Sequence, residues 1–99
     1  MTTVKILLAP RDVIRDVLFT KSQAGLISDN LHLYTEAGEF ETALIGEEAA
    51  EEAFDLTNNP SRDDERQEKY GNGRSVSSGD VIDVDGKKFA CLSFGWATL

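Results

Sequence analysis

The sequence predicts an α+β fold: an antiparallel sheet of about four to six strands with one main amphipathic helix packed on one face. Three observations predict it. Asp85-Gly86 sits between two alternating segments, the strongest short-range signal for a two-residue type I′ hairpin. "VKILLA" (Val4 to Ala9) is a short apolar run closed by Pro10 and reads as a buried strand. "EEAAEEAFDLTNN" places Ala49, Ala50, Ala53 and Phe54 on one helical face and Glu48, Glu51, Glu52 and Asp55 on another. The chain has 99 residues, 40% of them hydrophobic and 28% charged, which suits a single domain with one modest core.

In chain order, that domain divides into N-terminal strands (1–45), a helix (46–59), a polar connector (60–73) and a C-terminal hairpin (74–99). "RDVIRDVLFT" admits two readings. Val13, Ile14, Val17 and Leu18 fit a helical face, whereas the β-branched content leans to a strand that would give the sheet a partner. "LHLYTEAGEFETALI" reads as a hairpin: Leu31, Leu33 and Thr35 alternate with His32 and Tyr34, and Ala37-Gly38 turns the chain before Phe40, Thr42 and Leu44. Gly46 marks a break before the helix, and Asn58-Asn59-Pro60 stops it. In "SRDDERQEKYGNG", Ser61 and Asp64 resemble a capping box, Glu65 and Lys69 form an i, i+4 pair, and Tyr70 alone offers an apolar anchor.

The Asp85-Gly86 turn fixes a register. Val84 faces Lys87, Asp83 faces Lys88, Ile82 faces Phe89 and Val81 faces Ala90, with the Asp83–Lys88 pair contributing roughly 0.2–1 kcal/mol. Ile82 and Phe89 share one face; Val81, Ala90, Leu92 and Phe94 share the other. Both faces are partly apolar, so the hairpin belongs in the middle of the sheet. Phe94 and Trp96 are expected to lock the closing strand into the core.

Charge divides the chain more sharply than hydrophobicity does. Of a net charge of −8, residues 41–70 carry ten acidic groups against three basic ones, while the segments on either side are close to neutral. Direct binding to nucleic acid is disfavoured, since that affinity comes mainly from Lys and Arg displacing counterions. A basic protein surface is the expected partner. One Cys and one His exclude an internal disulfide and a Cys/His zinc site. The opening apolar run is too short for a signal-peptide core or a membrane span, so no membrane association and a cytoplasmic location are expected.

"GRSVSSGDVIDVDGKKFACLSFGW" also resembles the C-terminal signature of a family of small proteins found in actinobacteria and their phages and plasmids, and is more distantly similar to YodL-like domains of mobile elements. Arg74, Ser75, Gly79, Asp80, Val81 and Gly95-Trp96 follow the family's order, and "AEEAFDLTNNP" resembles its preceding helix. Ser78 departs from the pattern, where an aliphatic residue is usual. The resemblance covers roughly the second half of the chain. It implies a fold and a mobile-element setting, and carries no catalytic residues to transfer.

Individual candidates are weighed against plainer roles. His32 has no partner nearby in sequence and reads as a surface residue. Cys91 alternates with apolar neighbours and reads as a small hydrophobe. "SVSSGD" lacks a nucleophile frame; Gly79 reads as a turn residue in a conformation others avoid, and Asp80 as an acceptor for nearby backbone. No catalytic set, metal site or cofactor is expected, and the chain leans away from being an enzyme. The leading expectation is a non-enzymatic acidic binding protein of a phage or mobile element, inhibiting a basic or nucleic-acid-binding host or defence protein by imitating DNA. Glu47, Glu48, Glu51, Glu52, Asp55, Asp63, Asp64 and Glu65 would form its surface. The alternatives are a small enzyme or ligand-binding domain with a pocket beside Arg74, Ser75, Asp80 and Trp96, or a virion or assembly component, for which a homo-oligomer would speak.

Overall fold

The structure, a computed structural model, describes residues 1–99. Strand β1 (Thr2–Leu8) leads into helices α1 (Arg11–Val17) and α2 (Gln23–Asn30), a 3-10 turn (Leu31–Leu33) and strand β2 (Thr35–Thr42). Helix α3 (Gly46–Asn58), a second 3-10 turn (Pro60–Arg62) and helix α4 (Asp63–Lys69) follow, then strands β3 (Val81–Val84), β4 (Lys87–Cys91) and β5 (Trp96–Thr98). Every strand pairing is antiparallel, in the order β2-β1-β3-β4-β5. The α+β class and the antiparallel sheet are as expected. No helix is long and apolar enough to cross a membrane.

Strand alternation sends side chains to two separate cores. Val4, Ile6, Ile82, Val84 and Phe89 point to one face, under Ala49, Ala50, Ala53 and Leu56 of α3. The three alanines let the helix backbone approach the sheet closely, and Leu56 fills the remaining depth with no exposure. Val81 and Ala90 point to the opposite face and meet Val13 and Val17 of α1 and Ile27 of α2. The expectation of one main helix on one face is therefore corrected: helices cover both faces. That double cover is what the two-sided apolar pattern of the hairpin reflects. Its register is the expected one, Asp85 and Gly86 take the positive φ angles (50° and 91°) of a type I′ turn, and Lys88 Nζ lies 3.3 Å from Asp83 Oδ2.

Four local expectations are corrected. Residues 11–17 are helical, so the span 1–45 holds two strands and two α-helices. Burial of Val13 and Val17, four apart on one helical face, outweighs the strand preference of β-branched side chains. The segment 31–44 is not a hairpin. Ala37-Gly38 lies inside the single strand β2, because β1 runs beside both halves and supplies their partner; the register shifts by one residue there, a β-bulge. Phe94 stands in the β4–β5 turn, 95% exposed, and does not share the core face with Leu92. Ser61 caps nothing: the Asn59 side chain accepts the Ser61 N–H at 3.1 Å instead and closes the 3-10 turn.

The segment between α3 and β3 is tied down at several points. Buried Thr57 donates its hydroxyl to Ala53 O at 3.0 Å and accepts the Val76 N–H at 3.0 Å. Arg66 of α4 donates to Thr57 O, Gly73 O and Ser75 Oγ. Tyr70 lays its ring against Gly38 of β2 and donates its hydroxyl to Arg74 O at 2.7 Å. Gly38 is required by that approach, since a Cβ there would lie 2.6 Å from the Tyr70 ring.

Candidate functional site

The acidic segment folds into one layer, α3 and α4 joined by the Pro60–Arg62 turn. Helix α3 turns its alanines to the sheet and so presents Glu47, Glu48, Glu51, Glu52 and Asp55 away from it. The turn brings Arg62 back across them. Its guanidinium donates to Glu52 Oε1 at 2.9 Å and Oε2 at 2.8 Å, to Asp55 Oδ2 at 2.8 Å and to Glu65 Oε1 at 2.9 Å. The side chains of Arg62 and Glu52 are only 20% and 18% exposed, so these bonds are partly shielded from water. The hydrogen bonds Arg62 donates to Glu52 first, then to Asp55, raise its pKa further above its usual range. Lys69, 3.1 Å from Glu65, and then Arg62 hold the Glu65 carboxyl below its ordinary value.

The eight acidic candidates thus fall into distinct groups. Glu52, Asp55 and Glu65 are bound to Arg62 and hold α3 to α4. Glu51 accepts the Trp96 indole N–H at 2.6 Å, joining α3 to β5. Glu47, Glu48, Asp63 and Asp64 are exposed and have no hydrogen bond or ion pair through their side chains; Glu68 joins them on α4. What the layer offers to a partner is this second set, on a mount stiffened by the first.

Arg74, its side chain 42% exposed, and Asp80 form one network, while the Ser75 hydroxyl belongs to another, donating to Thr57 O and accepting from Arg66. Asp80 is fully buried and accepts four N–H bonds, each at 2.8 Å: from Ala9 N, Ser77 N and both terminal nitrogens of Arg74. Arg74 also reaches Ala9 O at 3.2 Å, and the hydrogen bond to Asp80 raises its pKa. Asp80 therefore does accept local backbone, as its Gly-Asp turn suggested, and in addition clamps the end of β1 to the start of β3. Gly79 holds φ +103° and packs on Ile14 and Val17, where a side chain would be both strained and crowded. Tyr34 donates its hydroxyl to Gly79 O, and its pKa is raised by burial and by the Asp80 charge.

Trp96 is not part of that network. It lines a separate cleft of about 150 Å³ with Glu51, Phe54, Cys91 and Leu92. None of the four surface clefts is lined by Arg74, Ser75 or Asp80, so the alternative pocket residues do not converge on one cavity. Cys91 is buried, and burial pushes its thiol up to about 12, opposite to what a nucleophile needs. His32 lies exposed on the first 3-10 turn. No group of three or more His, Cys, Asp or Glu side chains is arranged to hold a metal ion.

The residues to which the sequence assigned no role are Arg62, Arg66 and Tyr34. Arg62 meets Glu52 from ten residues away, across a helix end, where no periodicity marks the pairing. Tyr70, the one apolar residue in its segment, takes the anchoring role that isolation predicts, against the core and Gly38. No family model, no curated protein and no solved structure matches the chain.

Proposed function

We propose that this chain is a non-enzymatic binding protein that presents an acidic helical surface to a basic protein. The supporting observation is the arrangement of carboxylates around Arg62. One set is consumed internally and fixes α3 against α4, and that fixed mount leaves Glu47, Glu48, Asp63 and Asp64 unpaired and outward. Unpaired charges on a rigid support raise the encounter rate with a basic surface and bring little reorganisation cost on binding. Of the unpaired acids, Asp64 and Glu68 of α4 lie one helical turn apart, about 6 Å along the axis, a spacing that roughly imitates successive phosphates. A DNA-binding host or defence protein is accordingly the target class we favour. The mobile-element setting rests on the family resemblance of residues 74–96 and on nothing else.

Capture from a host lysate at 50 and 200 mM salt tests the reading, with the E47Q/E48Q/D63N/D64N variant as control. A basic partner captured by the native chain, released by salt and by competing double-stranded DNA, and lost in the variant is the expected result. Equal capture by both proteins removes the helical surface from consideration.

A further inference from the structure

The two edges of the sheet are unlike. β5 is three residues long and offers almost nothing to pair with. β2 is eight residues long, pairs only with β1, and no backbone or side-chain group of the chain bonds its outer rim. A long unpaired strand is a template for another strand and is ordinarily blunted by charge, bulging or cover.

What the bulge does here is more specific. Glu41 pairs with Thr3 and Glu39 with Lys5, so both point to the face opposite α3. Without the bulge, Glu36 would fall on the other face, beside Phe40. The register shift at Ala37 sets Glu36 opposite Leu7 instead, in line with Glu39 and Glu41. Three exposed glutamates therefore stand in one row along one side of the open rim, about 7 Å apart where two residues separate them. The nearest cation is Lys5, whose Nζ is 4.0 Å from Glu39. On the other side of the rim, Tyr70 covers Gly38 and Lys69 lies 6.0 Å above the Phe40 ring.

From this we infer that β2 takes an added strand from a basic partner: an extended segment whose alternate residues are Lys or Arg. Backbone bonds to the outer rim would supply the attachment, and the glutamate row would select the side-chain pattern. The same row keeps two copies of this chain from joining through β2, because like charges would face each other. This inference deepens the acidic binding-protein reading and rests on it for the sign of the partner. Its residues are distinct from the helical set, so the two can fail separately.

The test uses the full chain and a synthetic octapeptide alternating Lys and Val, with a version N-methylated on alternate amides as control. The expected result is binding that protects β2 amides from hydrogen exchange, and affinity that falls about tenfold or more in E36Q/E39Q/E41Q and with N-methylation. E47Q/E48Q/D63N/D64N should bind the peptide within about twofold of native. Circular dichroism checks that both variants fold, since all seven positions are exposed. Absent binding, equal affinity of the N-methylated peptide, or exchange protection confined to other strands overturns the inference. Loss of peptide binding only in the helical variant also overturns it, and moves the partner to α3 and α4.

Discussion

Asp80 and Arg62 are inverse versions of one device. Asp80 is a single carboxylate that collects four N–H donors; Arg62 is a single guanidinium that collects three carboxylates. They differ in burial. Asp80 has no exposure, whereas the acids around Arg62 range from 18% to 53% exposed. In the dry site, every donor is obligatory, because an ionised carboxylate out of water cannot be left unpaired. Around Arg62, water substitutes for any bond that is lost. A dense set of ion pairs can therefore matter less to stability than one buried acid, and the surface network is better suited to holding geometry than to holding the fold.

The largest test of that contrast is Asp80→Ala. It removes a charged acceptor from four donors and strands the Ala9 and Ser77 amides, and should lower unfolding free energy by about 3 kcal/mol or more in urea titration. Arg74→Met should cost about as much, again about 3 kcal/mol or more, because it leaves the buried Asp80 carboxylate without its counter-charge. Arg62→Gln should cost only about 1 kcal/mol, with the loss growing as salt is lowered and the freed acids repel. A larger loss for Arg62→Gln than for Asp80→Ala would break the comparison.

The pH dependence sharpens it. Burial raises the Cys91, Tyr34 and Tyr70 pKa values above their unfolded ones. Each then favours the folded state fully below its ordinary value, and that contribution is lost as pH rises through the folded one. Stability should hold to about pH 9 and fall progressively toward pH 12, seen as a declining urea midpoint. Cys91 should stay inert to thiol reagents at pH 8 until the chain unfolds. On the acid side, the depressed Glu65 contributes above its ordinary pKa, and that contribution is lost as pH falls through the folded value. Its exposure makes the step small, and Glu65→Gln should erase it. Smallest of all, Phe94→Ser should leave the urea midpoint within the error of measurement, since its ring touches no core.

What the sequence disclosed follows the same division. The β3–β4 hairpin was legible to the residue because turn chemistry and alternation are local, and α3 was legible because its alanine and glutamate faces repeat within thirteen residues. Residues 11–17 were not, since Val13, Ile14 and Val17 serve either a strand or a helix until Val81 and Ala90 are known to lie beneath them. Gly38 looked like a turn because the ring that requires its hydrogen belongs to Tyr70, thirty-two residues later. The acidic residues could be listed from composition. That Arg62 withdraws three of them, while Trp96 holds a fourth, depends on contacts spanning seven to forty-five residues for Asp55, Glu52 and Glu51.

The position of β1 has a consequence for how the chain is made. β1 lies between β2 and β3, and Ile6 pairs with Ile82, seventy-six residues further on. During synthesis, "VKILL" can gain its first neighbour once β2 emerges, yet its other rim stays open and apolar until β3 has been translated. Such long-range closure slows folding and leaves a sticky strand waiting in a crowded cell. The Asp80 clamp takes the Ala9 amide just past β1 across seventy-one residues, so it too waits until that late stage of synthesis.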